Sequence, residues 1–181
     1  MLPIKILKLK CHFAVKDMIL TAIEDTDSFI ITEHGDDVCP LTDWEKYEDG
    51  EEMPEYYEIF SKVAAEEILD VVKYEFGFDI ADINKYWFQQ YGAKGEHGWH
   101  FHPGCLYHAI YYLELPKGCP PTLVRAPNGF EFTPNVEEGD ILIMPSILEH
   151  TSPPNNSRKR KTIIAMNIDM ESDEDDENDD D

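Results

Sequence analysis

The sequence predicts an α+β fold that is mainly β, a sandwich or barrel with helices packed on one face. At 181 residues, of which 42% are hydrophobic, the chain has the length and composition of one domain with a sizeable core. Two stretches with apolar residues at helical spacing precede residue 80, and short apolar runs separated by Gly, Pro and Asn turns follow. Short, regularly spaced strands after two helices favour a β-sandwich or barrel.

The first half of the chain predicts one strand, two helices and a loop. Residues 1–10 alternate apolar and basic side chains, which is typical of an edge strand, and residues 13–24 predict a helix. Residues 36–53 are acidic and rich in turn-forming residues, so we expect a loop there. Pro54 begins the clearest helix of the chain, and Gly77 is placed to end it.

The second half predicts the strands of the barrel. The residues that suit strands are Val, Ile, Tyr, Phe and Leu, and they recur between turn residues. Trp87 and Trp99 are assigned to the core. The strand candidates are residues 85–91, 99–102, 105–115, 122–125, 129–132, 140–144 and 161–168.

The charge is uneven along the chain. We expect residues 1–170 to form a single domain, with its barrel core at about 85–168, and residues 171–181 to be a disordered acidic tail. The formal net charge is −23, and nine carboxylates fall in that tail, which cannot bury enough apolar surface to order itself. The rest of the chain is still acidic, which disfavours nucleic acid and anionic membranes as partners.

The sequence also predicts a cytoplasmic location. Residues 1–10 lack the apolar centre of a signal peptide, and nowhere does the sequence approach the roughly 20 apolar residues of a membrane span. Its cysteines are widely spaced with no CxxC pair, so in a reducing compartment they are expected to be free thiols. They are Cys11, Cys39, Cys105 and Cys119.

Histidines are the most informative local feature, since His97, His100 and His102 fall within six residues. On a strand, alternate residues share a face, which brings His100 and His102 to about 6 to 7 Å at the backbone and within reach of one metal ion. Imidazole suits Fe, Zn, Cu and Ni, and a stable site needs a third ligand. His150 is the candidate, because it follows a turn, a strand and the break at Pro145.

A histidine pair on a strand is more often a surface or half-buried pair, by about two to one on spacing alone. The distal His150 and the barrel-like pattern reverse that preference. If His150 joins the pair, a late strand must lie beside an early one, as in a double-stranded β-helix, the jelly-roll barrel of cupins.

Several motifs follow one another along residues 85–168. They are Tyr86-Trp-Phe-Gln-Gln-Tyr91, Trp99-His-Phe-His-Pro103, Tyr111-Tyr-Leu-Glu-Leu-Pro116, Glu138-Gly-Asp-Ile-Leu-Ile-Met-Pro145, His150-Thr-Ser-Pro and Lys161-Thr-Ile-Ile-Ala-Met-Asn167. In this order they resemble the motifs of the Fe(II)- and 2-oxoglutarate-dependent dioxygenases. More narrowly, they are similar to small oxygenases of marine bacteria and their phages.

The resemblance implies a double-stranded β-helix in which His100, His102 and His150 hold Fe(II) as the catalytic centre. It further implies 2-oxoglutarate as cosubstrate, ascorbate as reductant, and decarboxylation to succinate coupled to hydroxylation of a C–H bond. The usual second ligand is Asp or Glu, so His102 is a departure that removes one negative charge and weakens Fe(II) binding. His97 is a backup ligand or a supporting partner of a ligand.

The family also uses a basic residue after the distal histidine to pair with the far carboxylate of 2-oxoglutarate. Here Lys161 and Arg160 are the candidates, with Lys161 ranked slightly higher, and only one can face inward because adjacent strand residues point oppositely. The alternatives for residues 158–161 are a solvated basic turn and, more weakly, a nucleic-acid patch or nuclear signal.

Other strand residues bear on the pocket. Tyr91, His108 and Tyr112 are candidates to line it, and ordinary aromatic filling of a small barrel explains them about as well. Gln89 and Asn167 are polar residues in apolar strands, so each needs a hydrogen-bond partner if it is buried.

Two other functions stay open from the sequence. One is a cupin-like dioxygenase that uses three histidines and no keto acid, and the other is a non-catalytic binding module whose active part is the acidic tail. The substrate is a small molecule or a peptide, with specificity expected in residues 33–53, 116–121 and 128–134. The sequence does not fix an oligomeric state.

Overall fold

The computed structural model describes residues 4–30, 40–44, 46–47, 52–77 and 81–169. The acidic tail, Cys39 and most of the acidic stretch before Pro54 lie outside these residues. Within them the elements follow in the order β1 (Lys5–Lys8), α1 (His12–Glu24), β2 (Phe29–Ile30), β3 (Leu41–Thr42), α2 (Glu55–Phe76), β4 (Asp82–Tyr91), β5 (His97–His100), β6 (Tyr107–Glu114), β7 (Leu123–Arg125), β8 (Glu131–Phe132), β9 (Asp140–Pro145), β10 (Glu149–Ser152) and β11 (Lys161–Asp169).

The strands form two antiparallel sheets. The major sheet has seven strands in the order β1-β9-β6-β11-β4-β3-β2, and the minor sheet has four in the order β5-β10-β7-β8. β10 lies between β5 and β7, so a late strand pairs with an early one. This arrangement confirms the mainly β fold and the crossing of late and early strands that the sequence predicts.

Both helices pack on one face of the major sheet, as expected from the sequence. The apolar stripe of α2 is buried against that face, with Phe60, Ala64, Ile68 and Val72 almost inaccessible to solvent. The helix ends at Gly77, whose φ of 80° closes it in the left-handed conformation. Burying this stripe and the facing side chains of the sheet forms the larger of two hydrophobic clusters.

The other face of the major sheet turns toward the minor sheet, and alternation along each strand decides which side chains reach it. On β11 the even-numbered Ile164 and Met166 join the cluster under the helices, whereas Ile163 joins the second cluster between the sheets. On β6, Ile110 and Tyr112 also join the second cluster, between the sheets. Strand parity therefore assigns the odd positions of β11 to the space between the sheets.

Three short strands were not expected from the sequence. β2 and β3 have two residues each, too few to show a period, and β3 falls inside the stretch expected to be a loop. β10 reads Glu-His-Thr-Ser, with no apolar alternation, so its place depends on backbone pairing.

Strand β5 also differs from its expected bounds. It starts earlier, at His97, and ends at His100, so His102 lies just beyond the strand. There the backbone N–H of His102 donates to the carbonyl of Ser146, at 3.1 Å, outside the pairing of β5 with β10. Pro103 follows and favours an extended conformation at His102, so the side chain keeps an alternating direction without strand pairing.

No helix in the described part of the chain is long and apolar enough to cross a membrane. Cys11, Cys105 and Cys119 are free thiols, as expected.

A substitution at Gly139 can test how α1 packs against the sheet. Its φ is +89°, and an added Cβ would lie 2.9 Å from Cγ of the buried His12 ring, which is itself 2.7 Å from the Tyr111 hydroxyl through Nδ1. We expect Gly139→Ala to lower the free energy of unfolding by the left-handed cost of about 1 to 2 kcal/mol plus about 1 to 3 kcal/mol for overpacking. Urea denaturation measures the loss.

The matched control is Gly118→Ala, because Gly118 has a φ of +93° with no heavy atom within 4 Å of the added Cβ. This variant should show the backbone cost alone. Equal losses for the two variants would contradict a close contact between Gly139 and His12.

Candidate metal centre and cavity

Three histidines converge between the two sheets. His100 on β5 and His150 on β10 are cross-strand partners, and their ring centroids are 4.3 Å apart. His102 follows β5 by two residues, and its ring centroid lies 5.2 Å from each of the other two. One ligand nitrogen from each of the three lies within 4.8 Å of the others, close enough to share one metal ion.

Backbone carbonyls orient two of these rings. Nδ1 of His100 is 2.8 Å from the carbonyl oxygen of Gly98, and Nδ1 of His150 is 3.1 Å from that of Leu148. A carbonyl only accepts, so in each neutral ring Nδ1 carries the proton and Nε2 keeps its lone pair. This is the tautomer that a metal-binding histidine uses when its second nitrogen is held by the protein.

His102 supplies an unsatisfied polar atom at the centre. Its Nε2 is buried and has no hydrogen-bond partner among the described residues. Buried polar atoms are nearly always paired, so this orphaned nitrogen, which lies beside two other imidazoles, suits a partner such as a metal ion. A metal ion held with His100 and His150 would satisfy it.

Burial keeps three of the histidines at this site neutral, namely His97, His102 and His150. Desolvation, with the neighbouring histidines adding to it, lowers the pKa of His102 to about 4 and that of His97 to about 3, and holds the pKa of His150 well below its usual value. Neutral imidazole is the form that binds a metal, so His102 and His150 each offer a nitrogen as a ligand at neutral pH.

Two further histidines support the triad. The ring of His97 stacks on His100 at 4.1 Å between centroids, and its Nδ1 is 3.3 Å from the side-chain nitrogen of Gln89. The ring of His108 stacks on His102 at 3.8 Å and 8° between planes, and its Nδ1 is 3.4 Å from Oδ1 of Asn167. The rings of His100 and His102 are thus packed against fixed neighbours.

A cavity of about 330 Å³ opens beside the triad. Its lining holds no Asp, Glu, Lys or Arg among the described residues, and it combines imidazoles, aromatic rings, small hydroxyls and two amides. The lining residues are Trp44, Trp87, Gln89, Tyr91, His97, His100, Phe101, His102, Pro103, His108, Ile110, Thr122, His150, Thr151, Ser152, Ile163, Ala165 and Asn167.

Lys161 lies just behind one end of this lining. Its side chain is buried, with Nζ 2.5 Å from Oγ of Ser152, 3.1 Å from the carbonyl oxygen of Pro120 and 4.4 Å from the centroid of the Tyr91 ring. In the described part of the chain, no carboxylate lies within 4 Å of this ammonium group. Desolvation lowers the pKa of Lys161 to about 8, so it is mostly charged at pH 7.

Of the other residues expected at the site, two line the cavity and two do not. Arg160 points to the opposite side of β11, with Nε 2.8 Å from the carboxylate of Glu114 and a second, longer ion pair to Glu24. Tyr91 and His108 line the cavity, whereas Tyr112 does not. The Tyr112 hydroxyl donates to Oγ1 of Thr122 at 2.9 Å within the second hydrophobic cluster.

Some cavity residues were not anticipated, and one assignment is corrected. Trp44 follows β3 in the stretch expected to be a loop, where no pattern marks it. Ser152 shares the strand face of His150, a spacing that could have identified it. Trp87 is buried but faces the cavity. Trp99 is wrongly assigned to the core: the residue is 36% exposed, and the guanidinium carbon of Arg125 lies 3.7 Å from the centroid of its ring.

Comparison with known proteins gives a structural likeness without a sequence match. No family model matches the chain, and no curated protein matches it either. An oxidoreductase of the 2OG-Fe(II) oxygenase family from Burkholderia pseudomallei is similar with a TM-score of 0.71 and 10% identity, over 92% of this chain and 85% of that chain.

Two other solved structures are similar over most of their length. The viral collagen prolyl hydroxylase of Paramecium bursaria Chlorella virus-1, solved with 2-oxoglutarate, gives a TM-score of 0.60 and 14% identity over 91% of this chain and 94% of that chain. The epimerase SnoN was solved with Fe3+, alpha ketoglutarate and nogalamycin RO. It gives a TM-score of 0.72 and 10% identity over 93% of this chain and 79% of that chain. Their likeness and the strand order agree: the chain has the double-stranded β-helix fold of the 2-oxoglutarate- and Fe(II)-dependent oxygenases.

Proposed function

We propose that this protein is an Fe(II)- and 2-oxoglutarate-dependent oxygenase. The observation that carries the proposal is the nearness of two features: three imidazoles that converge at the cavity around an orphaned nitrogen, and, just behind one end of the cavity lining, a buried ammonium group with no carboxylate within 4 Å among the described residues. The first suits a divalent cation and the second suits a small anion. The fold adds support, since the similar structures include complexes with iron and 2-oxoglutarate.

His100, His102 and His150 would hold the metal ion, each through Nε2. When bound, Fe(II) and 2-oxoglutarate would supply the activation of dioxygen: one oxygen atom would enter succinate as the keto acid loses carbon dioxide, and the other would be inserted into a C–H bond of the substrate. The chain positions His100 and His150 by backbone pairing, and it shields the His150 ring from water by burial. Three neutral imidazoles also give the ion less charge compensation than the usual two histidines and one carboxylate.

Lys161 is the better candidate for the carboxylate anchor, because Arg160 is engaged by Glu114 on the other side of β11. Ser152 stands two residues after His150 on β10, which is about 6 to 7 Å along the strand. Since Lys161 donates to Ser152, the anchor lies one such step from the metal ligands. A five-carbon dicarboxylate spans a distance of this order.

The proposed substrate is a peptide or a small molecule. The similar structures include a collagen prolyl hydroxylase and an epimerase of nogalamycin biosynthesis, one acting on each kind of substrate. The acidic surface makes nucleic acid a poor partner. Free thiols at Cys11, Cys105 and Cys119 fit a reducing cytoplasm, which is where we place the protein.

The donor set favours one alternative. Three histidines with no acidic residue along the described lining also suit a cupin-type dioxygenase that uses no keto acid. Oxygen consumption with the prime substrate separates the two: the proposal requires 2-oxoglutarate and equimolar succinate, whereas the alternative requires neither.

Metal binding can be followed by tryptophan fluorescence, because the Trp87 ring centroid lies 5.5 Å from that of His102. We expect Co²⁺, a stable substitute for Fe²⁺, to quench the emission of the wild type. His102→Ala removes the orphaned ligand and should weaken Co²⁺ binding by more than about 100-fold, beyond the roughly 10- to 100-fold typical of supporting partners.

His97→Gln is the control, since His97 stacks on a ligand without belonging to the triad. It should weaken Co²⁺ binding by no more than the roughly 10- to 100-fold typical of supporting partners. A larger loss for His97→Gln than for His102→Ala would show that the triad is misassigned.

The anchor predicts a pH dependence. With a pKa of about 8, Lys161 loses its positive charge as the pH rises from 7 to 9, so the affinity for 2-oxoglutarate should fall over this range. The buried histidines are already neutral there and should not contribute. Calorimetric titration of the Zn²⁺-loaded protein with 2-oxoglutarate measures the change.

Lys161→Met should remove most of this affinity and its pH dependence, with a loss of about 10- to 100-fold at pH 7 as for a hydrogen-bonded charge. Arg160→Met is the matched control and should leave the affinity unchanged. If Arg160→Met is the variant that loses 2-oxoglutarate, the anchor is Arg160.

A further inference from the structure

The cavity divides along β4 and β11 into two halves. In the strand register Lys161 opposes Tyr91, and Ala165 opposes Trp87. Lys161 and Ala165 are four positions apart, which is about 13 Å along the strand. Under the proposed function, the end at Tyr91 holds the cosubstrate, and the other end is left for the substrate.

We call this other end the tryptophan half, formed by Trp44, Trp87, Phe101, Pro103, Ala165 and Asn167. The two indole rings meet edge to face at 4.4 Å between centroids. Phe101 and Pro103 flank the ligand His102, and Phe101 is 51% exposed at the edge of the cavity. Ala165 contributes only a methyl group opposite Trp87, which leaves space between the walls.

Trp44 is held in place by a buried polar network. The Asp43 carboxylate accepts from the Tyr56 hydroxyl at 2.6 Å and from the Phe88 backbone N–H at 2.9 Å. The Thr42 hydroxyl donates to the Phe88 carbonyl at 2.6 Å and accepts the backbone N–H of Trp44 at 3.1 Å. These bonds fix the backbone beside Trp44 to α2 and β4, so this wall of the cavity is preformed.

Asn167 supplies a directional contact in this half. Its Oδ1 accepts from Nδ1 of His108 at 3.4 Å. The amide NH2 group has no hydrogen-bond partner among the described residues, and the side chain faces the cavity. An amide N–H donor in an apolar pocket favours a ligand that carries an acceptor oxygen.

Charge is missing from the tryptophan half. A cationic or anionic group placed there would lose its water and find no counter-ion along the described lining. Lys85 pairs with Asn167 across β4 and β11, but it does not line the cavity. Its Nζ lies 4.0 Å from the centroid of the Trp44 ring. The residues of this half thus discriminate against both signs of charge.

We propose that the tryptophan half binds an uncharged, ring-sized group whose acceptor oxygen contacts the Asn167 amide, and that Trp44 and Asn167 determine this specificity. The proposal rests on the proposed function only for the identity of the bound group as the substrate. The group is the ring of a neutral small molecule or a neutral cyclic side chain of a peptide.

Three probes of one shape test the charge selectivity. Benzamide is neutral with an acceptor oxygen, benzamidinium is the cation, and benzoate is the anion. Ligand-observed NMR on protein saturated with Zn²⁺ and 2-oxoglutarate measures their dissociation constants. We expect benzamide to bind at least about tenfold more tightly than either ion. Equal or tighter binding of benzamidinium or benzoate would overturn the proposal.

Two variants test the residues. Trp44→Ala should weaken benzamide binding by about tenfold through loss of an aromatic contact. Asn167→Leu, which removes the amide donor at similar size, should weaken it by about threefold to tenfold. The control is Trp99→Ala, the same change at a tryptophan that packs on Arg125 outside the cavity, and it should have no effect. Equal losses in Trp44→Ala and Trp99→Ala contradict the assignment.

The blocked peptide acetyl-Gly-Tyr-Gly-amide, whose neutral ring carries an acceptor oxygen, distinguishes the two sources of the group. Tighter binding than benzamide supports a peptide substrate, and weaker binding supports a small molecule. Calorimetry of 2-oxoglutarate binding is run on the same samples. The benzamide measurement is repeated on the metal-free protein. If benzamide binds selectively there and 2-oxoglutarate does not bind, the result supports the proposed specificity of the tryptophan half and contradicts the oxygenase function. The reverse result would contradict the pocket alone.

Discussion

The site depends on the antiparallel pairing of β5 with β10. This pairing makes His100 and His150 direct neighbours although they are far apart in the chain. β10 is also paired with β7 on its other edge, so backbone hydrogen bonds fix it from both sides. Its four residues carry no apolar stripe that would set its position by burial. The distance between these two histidines is therefore set by the spacing of paired strands, which is less variable than side-chain packing.

The second feature that shapes the chemistry is that the site is desolvated while its described lining carries no acidic residue. The same desolvation that keeps His102 and His150 neutral lowers the pKa of Lys161, and no acidic residue among the described lining offsets either effect. With a carboxylate ligand, Fe(II), doubly charged 2-oxoglutarate and a cationic anchor would sum to zero. With His102 in that place one positive charge remains, so we expect the centre to bind its anion relatively well and its metal relatively weakly.

Much of the fold could be predicted from the sequence, because long elements carry a clear period. The apolar stripe of α2 and the runs that became β4, β6, β9 and β11 are of this kind. β10 and the two-residue strands could not be found this way, since polar or very short segments have no period to read. The triad was accessible because the spacing of His100 and His102 holds whether or not pairing continues past His100. Trp44 was not, because buried hydrogen bonds between distant elements place it, and Trp99 shows that an aromatic residue in a strand can face solvent.

The most direct test of the central claim is anaerobic titration of the protein with Fe(II) and 2-oxoglutarate, followed by visible absorption. Chelation of the keto acid by iron produces a weak charge-transfer band that neither component gives alone. We expect the band in the wild type, its loss in His100→Ala, and its persistence in Arg160→Met. A band of equal strength in the wild type and His100→Ala, or no band in the wild type, would contradict a three-histidine iron centre that binds 2-oxoglutarate.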